Sequence, residues 1–593
     1  MLKMSINSFC HFEGSISFVK ESDEKSPQNY PHIMGISPFG RVNRSFQQRV
    51  IQNTIQSLKS IIILLILLTT TNLSAQVNNN YLTISKNYRI HPSDVTQTEV
   101  FITRSPNNEN LLFSSCNTLT FIPFFTSEGV YVTENGGISW HGNDSCIGEP
   151  INFHGGDPGI AIDKNGRFIL TRLGRSPFVG LYSHFSYDNG QTWTVQTPIL
   201  TEDLERASIS TDAIVTSSNY GNTYATWVKF APPYPVMFSS VSEDSENWSS
   251  AMQVNSPTHR NAGGDVAIGP HGEIYTCWAA ITETSPFKEI YVGFASSVNG
   301  GNNWMITEDA FSMDGITGIL PNKGNIRVNG LPGIDVDKTG GVRDGWIYIV
   351  TGQKNLTPAG SDPDIILNRS SDGGLTWSNG IRVNQDALNN GKTQYFPTVH
   401  VDKFGAVNII FYDDRNTTSD STGVFLARST DGGDTWKEYE ISDHNYKPTP
   451  IGALGQGYQG DNIDLTSTST QLWPVWMDNS TGNYQIWTSP IDFSTIDYIP
   501  EKDDPSIVLK QNFPNPFFNK TTIGYRVYNA GTISMSIVDM FGNRLVSLVN
   551  ENKTPGYYEI VISANELGLG SGMYFYQLKS GLQNTVKTMV LIN

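Results

Sequence analysis

Ser429-Thr430-Asp431-Gly432-Gly433-Asp434-Thr435-Trp436 is the stretch whose repetition decides the fold. Ser370-Ser371-Asp372-Gly373-Gly374-Leu375-Thr376-Trp377 follows it closely, and Ser186-Tyr187-Asp188-Asn189-Gly190-Gln191-Thr192-Trp193 keeps its Ser, Asp, Gly, Thr and Trp. Two weaker copies, Thr133 to Trp140 and Ser297 to Trp304, carry Asn135 and Asn299 in the Asp position. A sixth, around Ser242-Glu243-Asp244 and Trp248, is eroded. The chemistry is that of a hairpin turn: Asp or Asn accepts local backbone N–H groups, Gly takes the positive φ, and Ser or Thr adds a side-chain bond. The closing Trp carries on the order of 150–250 Å² of surface to bury, so the unit is first of all a staple of the fold.

The tryptophans stand at 140, 193, 248, 304, 377 and 436, at intervals of 53, 55, 56, 73 and 59. Periods of this size, each holding several short β-runs, are those of propeller blades. One unit runs Asp157 to Asp163, Phe168 to Arg172, Gly180 to Phe185 and its octapeptide; another runs Phe396 to Asp402, Val407 to Tyr412, Gly423 to Arg428 and its octapeptide. The octapeptide is therefore the turn from third to fourth strand. A last partial unit, from Asp461 to Ser489, lacks a fourth strand, which Tyr81 to Tyr88 can supply to close the ring. The expected count is seven blades, or six if the eroded third unit is not a full blade. This pattern resembles the Asp-box (BNR) repeat of the sialidase-like β-propellers.

The balance of 39 basic against 56 acidic residues, a net charge of −17, disfavours nucleic acid and anionic membrane as partners. Fifty-four glycines with 12 Trp, 25 Tyr and 29 Phe suit an all-β chain rich in turns. Residues 60–68, Ser-Ile-Ile-Ile-Leu-Leu-Ile-Leu-Leu, are too short to span a membrane and match a secretory h-region with cleavage after Ala75. Residues 1–75 are thus expected to be a leader, its first part an upstream start chosen in error or a real extension. No transmembrane span is expected in the mature chain. Export permits disulfides, and Cys116 and Cys146, which flank the first octapeptide, could pair, whereas Cys277 reads as a buried small residue. No CxxC or HExxH spacing appears, so no metal and no cofactor are expected.

The propeller is expected over residues 81–490, a polar linker over 491–505, and a different kind of segment over 506–593. That tail holds short alternating strands with turn signals, the pattern of a small Ig-like β-sandwich. Its Asn512-Phe-Pro-Asn-Pro516 start, its Asp539-Met-Phe-Gly542 turn and its terminal Lys587-Thr-Met-Val-Leu-Ile592 run resemble the C-terminal sorting domain of type IX secretion. The resemblance implies that the type IX machinery is a partner, and that the protein is secreted or held on the outer-membrane surface of a Gram-negative bacterium of the Bacteroidota type.

In such blades the octapeptide turns mark one face, and the starts of inner strands and the ends of second strands mark the other, where a ligand mouth lies. Candidates at that mouth are Glu99, Asp157, Asp265 and Asp461 from inner strands, and Arg172, Arg175, Asp413, Asp414, Arg415 and Asp478 from second strands. Phe121, Phe124, Phe125, Phe178, Tyr234 and Phe287 lie in the same loops and could stack on sugars. A mixed charged rim with aromatics suits an extracellular glycan or similar polymer. An Asp at a strand start also simply caps a turn, and Asp413-Asp414-Arg415 also reads as a loop ion-pair corner. The sialidase resemblance implies an arginine triad, an acid/base Asp and a Tyr–Glu nucleophile pair, an exception to the two-carboxylate glycosidase plan. Tyr88-Arg89-Ile90-His91-Pro92 is similar to that family's Arg-Ile-Pro motif, but His91 interrupts it. The expected function is glycan binding without an assigned catalytic set; the alternatives are a sialidase-type glycoside hydrolase and a structural surface protein.

Overall fold

At Ser429 to Trp436 the side chains bond as the pattern requires. The Ser429 hydroxyl donates to Asp431 Oδ1 (2.7 Å), Asp431 accepts from the Thr435 N–H (2.9 Å) and hydroxyl (2.5 Å), and Ser429 Oγ accepts from the Gly433 N–H (2.7 Å). The copies at Asp188 and Asp372 repeat these bonds, and Asn135 and Asn299 each accept from the backbone N–H four residues on. The protein is described by a computed structural model covering residues 82–121, 124–146, 154–452, 457–493, 507–527, 530–539, 542–581 and 583–592. The expected leader lies outside these residues. Among the described residues no helix is long and apolar enough to cross a membrane.

Seven antiparallel sheets follow in sequence; six are four-stranded meanders, and the seventh has six strands, Thr83–Ile84 and Ile491–Asp492 among them. Blade 1 is Thr96–Arg104, Leu112–Phe121, Phe124–Thr133 and His141–Asn143; blade 2 is His154–Ile162, Phe168–Gly174, Gly180–Ser186 and Thr197–Leu200. Blade 3, Ser208–Thr211, Thr223–Val228, Val236–Val241 and Met252–Gln253, is complete although its octapeptide is eroded, which decides for seven blades over six. Blade 4 is Arg260–Ile268, Ile274–Ile281, Glu289–Ser297 and Met305–Ser312; blade 5 is Gly333–Val336, Ile347–Gln353, Asp364–Ser370 and Ile381–Arg382. Blade 6 is Gln394–Val401, Val407–Asp413, Gly423–Ser429 and Lys437–Glu440. Blade 7 is Asp464–Ser467, Gln471–Asp478 and Gln485–Thr488, and Tyr88–Arg89 completes it by pairing Tyr88 with Thr488 and Arg89 with Trp487. Completing the last blade with an N-terminal strand ties the two ends of the ring together.

Each octapeptide turn also reaches backwards. Trp304 packs edge-on against Phe238 of blade 3 (5.1 Å between centroids), Trp377 against Phe294 of blade 4 (5.1 Å) and Trp140 against Trp473 of blade 7 (6.2 Å), and Trp193 packs at a tilt against Phe113 of blade 1 (5.8 Å). The second Gly lets this happen: a Cβ on Gly374, whose φ is +88°, would stand 2.1 Å from the Phe294 ring. The turn therefore staples one blade to the one before.

A second set of ties runs forward along the inner strands. Asp265 accepts from the Val266 N–H and from the Ile334 N–H of blade 5, Asp335 from Val336 and from Val401 of blade 6, and Asp464 from Leu465 and from Ile102 of blade 1. Burial, reinforced by Asp265, pushes the Asp464 carboxyl up to about 7 against the pull of those N–H groups and of His400. The folded protein thus holds a proton that the unfolded chain, titrating near about 3.9, has released. The stability this confers is full below about pH 4 and is lost as pH rises through the folded value. In urea titrations the advantage of the parent over Asp464→Asn is expected to shrink by up to about 1.4 kcal/mol per pH unit across that window. An advantage that does not change with pH would show the group ionised throughout.

The tail forms two sheets. Ile507–Leu509, Lys520–Val527 and Gly556–Ser563 make one; Arg544–Lys553, Gly531–Val538, Gly572–Ser580 and Gln583–Leu591 make the other. Ile523 and Tyr525 from the first share a core with Met535, Ile537, Tyr576 and Leu578 from the second, which is a sandwich.

Cys116 and Cys146 do not form the expected disulfide; both are buried free thiols. Cys116 packs with Trp473 and Val475 of blade 7, whereas Cys146 packs with Ile160 and Phe168 of blade 2, so the two lie on opposite sides of blade 1. Cys277 is buried as expected.

Candidate functional site

Four inner strands carry a bulge near their start: between Thr98 and Phe101, Gly156 and Gly159, Ala262 and Asp265, and Tyr395 and Thr398. Two of these bulges hold an acidic residue in the left-handed region, Glu99 at φ +55° and Asp157 at φ +57°. That conformation costs on the order of 1–3 kcal/mol per residue and re-aims the side chain. Both carboxyls converge on one amide: Asn117 Nδ2 donates to Glu99 Oε2 (2.9 Å) and to Asp157 Oδ1 (3.0 Å), while Asn117 Oδ1 accepts from the Asp157 N–H (2.5 Å). Asp461 completes the group, its N–H donating to Glu99 Oε1 (3.3 Å) and its Oδ2 accepting from Arg327 Nη2 (2.8 Å).

Tyr458 stands over this floor, hydrogen-bonded to Glu99 and beneath the Arg327 guanidinium, which lies 5.3 Å from its ring centre. Burial first, then Asp157 and Asp461, hold the Glu99 carboxyl well above the usual carboxylate range. Burial also raises Asp461 against the pull of Arg327, and burial raises Glu205, whose Oε2 accepts from the Gly263 N–H (2.6 Å). Closely spaced carboxyls cannot all ionise, so the floor holds a proton that its acids share. A proton donor beside carboxylates is an arrangement able to hydrogen-bond sugar hydroxyls or to act as general acid.

The structure thus brings together Glu99, Asp157 and Asp461 and disperses the remaining candidates. Asp265 is the inter-blade tie described above. Arg172 is buried within blade 2, donating to His184 Nε2 (3.0 Å), the Leu173 carbonyl (3.0 Å) and Gln196 Oε1 (2.6 Å); it does not line the mouth. Arg415 is locked onto Asp413 (2.8 Å through Nε) and onto Glu438 by two parallel bonds (2.6 and 2.8 Å). Asp414 is spent on Lys323, and Asp478 on the Trp476 indole (3.2 Å), Ser480 and His444 (3.1 Å). Asp413, Asp414 and Arg415 fit the ion-pair corner reading, because their partners consume their bonding capacity. Arg175 lies in the loop before the third strand of blade 2. Phe178 and Phe287 are exposed and Tyr234 half-buried, all on loops joining second to third strands, whereas the side chains of Phe121, Phe124 and Phe125 lie outside the described residues.

Asn117, Glu205, Arg327 and Tyr458 had no role in the sequence reading. For Arg327 a signal existed: the interval of 73 between Trp304 and Trp377 is the longest in the chain. The excess forms a hairpin, Gly318–Leu320 with Ile326–Val328, inserted between blades 4 and 5. Its Arg327 N–H donates to the Gly457 carbonyl (2.7 Å), next to Tyr458. At the opposite ends of the inner strands a cavity of about 530 Å³ is lined by Arg104, Glu109, Lys338, His400 and Lys403. None of the candidate residues lines it.

No curated protein sequence matches the chain. Among solved structures, a polysaccharide lyase of the ulvan lyase family bound to a sulfated disaccharide repeat is similar at 11% identity and a TM-score of 0.42, covering 66% of this chain and 94% of that one. An α-L-arabinanase of Penicillium chrysogenum with arabinobiose is similar at 12% identity and 0.38, covering 69% and 99%. A Trypanosoma rangeli sialidase mutant with trans-sialidase activity is similar at 10% and 0.32, covering 74% and 84%. Residues 511–593 match the secretion system C-terminal sorting domain, and that tail marks a protein secreted through type IX export or attached to the outer surface of the cell.

Proposed function

We propose that the mouth of this propeller binds an extracellular glycan or related polymer over the Glu99–Asp157–Asp461 floor. The observation that carries the reading is the pair of strained bulge acids joined through Asn117, since strained backbone at a concave site is kept where it orients functional groups. Exposed Phe178 and Phe287 on the surrounding loops add apolar faces on which sugar rings can stack.

A second reading, a sialidase-type glycoside hydrolase, is favoured by the Tyr458–Glu99 hydrogen bond and by the burial that raises the Glu99 carboxyl. Against it, among the described residues no arginine triad grips a common point: Arg327 is engaged by Asp461 and Arg415 by Asp413 and Glu438. The mature chain applied to a glycan array and to a fluorogenic sialoside separates the two. The expected result is an array hit weakened at least tenfold by Asp157→Asn, without sialoside turnover. Turnover reduced about 10²–10⁴-fold by Glu99→Gln, as for loss of a general acid, would establish the hydrolase instead. Neither binding nor turnover would leave a structural surface protein.

A further inference from the structure

Arg260 opens the inner strand of blade 4, between the second-to-third loops of blades 3 and 4. Its guanidinium is sandwiched by two rings from those loops, 4.4 Å from the centre of Tyr234 and 4.7 Å from that of Phe287. Its backbone N–H donates to Glu283 Oε1 (3.1 Å), yet Nε is buried without a partner, and among the described residues no carboxylate pairs with the head group. The cations nearby are treated differently: Lys229 pairs with Glu202 and Lys288 with Asp314. The next residue, Asn261, is 1% exposed, and neither atom of its amide has a partner. A buried polar group left unpaired costs about 1–3 kcal/mol, so the unpaired Arg260 head group points to a partner supplied from outside the protein, whereas Asn261, next along the strand, faces the opposite side of the sheet.

We propose that Arg260 forms a rim subsite for an oxyanion carried by a sugar, a uronate carboxylate or a sulfate ester, on an acidic polysaccharide. The proposal rests on the glycan reading of the mouth and deepens it. Stacking between two rings fixes the guanidinium plane, so its fork of donors meets a planar or tetrahedral oxyanion with little ordering cost. Glu283 accepts from the Arg260 N–H and Glu205 from the Gly263 N–H, and neither forms an ion pair with the Arg260 guanidinium. The outer face of exposed Phe287 is left to the sugar ring that bears the charge. This single rim guanidinium stands apart from the acidic floor, and it selects for charge along a chain rather than for cleavage.

Calorimetric titration of the mature protein with trigalacturonate, N-acetylglucosamine 6-sulfate and neutral galactotriose tests it. An anionic sugar is expected to bind, and Arg260→Gln to weaken it at least tenfold, with Arg260→Lys recovering part of the loss. The melting temperature of Arg260→Gln is expected to stay near that of the parent. Which anion binds identifies the source of the charge. Equal affinity for the neutral trisaccharide, or unchanged affinity in Arg260→Gln, would overturn the proposal. Anion binding that depends on Arg260 but not on Asp157→Asn would keep the subsite and refute the floor as a glycan contact.

Discussion

Asp414→Ala is expected to lose about 3–5 kcal/mol of stability, because removing one partner of a buried ion pair strands the other charge. Lys323 and Asp414 are both fully buried, with Nζ 2.5 Å from Oδ2. Lys323 also donates to the Ser419 carbonyl, and Asp414 Oδ1 accepts from the Thr393 N–H (2.7 Å). Urea unfolding of the mature chain measures the loss. The pair anchors the inserted hairpin to blade 6, and that hairpin carries Arg327, so the variant is also expected to weaken glycan binding. Lys323→Met combined with Asp414→Leu removes both charges and is expected to recover most of the stability. A single variant as stable as the parent would show the pair solvated.

Trp193→Ala is expected to cost a similar amount, about 3–5 kcal/mol, the range for deleting a buried aromatic side chain. Trp193 is only 5% exposed and packs with Phe113, Val132, Ile160 and Phe168, which belong to blades 1 and 2. Its indole N–H donates to the Gly190 carbonyl (3.2 Å). Trp140, in the equivalent turn, is only partly buried, and Trp140→Ala is expected to cost less. Thermal unfolding of both variants checks the order. Equal losses would mean that the turn itself, rather than the contact between blades, carries the energy.

The readings that succeeded were local ones. An octapeptide whose Asp, Gly and Thr bond within eight residues carries its turn wherever it is placed, and its repetition set the blade period. The closing strand was legible because the last unit lacked a partner, although the strand that pairs with Gln485–Thr488 is Tyr88–Arg89 at the end of the expected segment. The partners of Arg172 and Arg415 were not legible, for a different reason. A charged residue at a strand end gives no sign of whether His184, Gln196 or Glu438, 12 to 24 residues away, will take its donors.

By itself the sequence determined an all-β propeller of repeated units and a sandwich tail of the sorting type. Periodicity and turn chemistry act over a few residues and survive without knowledge of distant contacts. Only the tertiary structure decided which acids form a site. Glu99, Asn117, Asp157, Arg327, Tyr458 and Asp461 come from both ends of the ring and from an insertion, and ring closure brings them within hydrogen-bond reach. Their protonation follows from that meeting, since burial and mutual repulsion raise Glu99 only once its neighbours are in place.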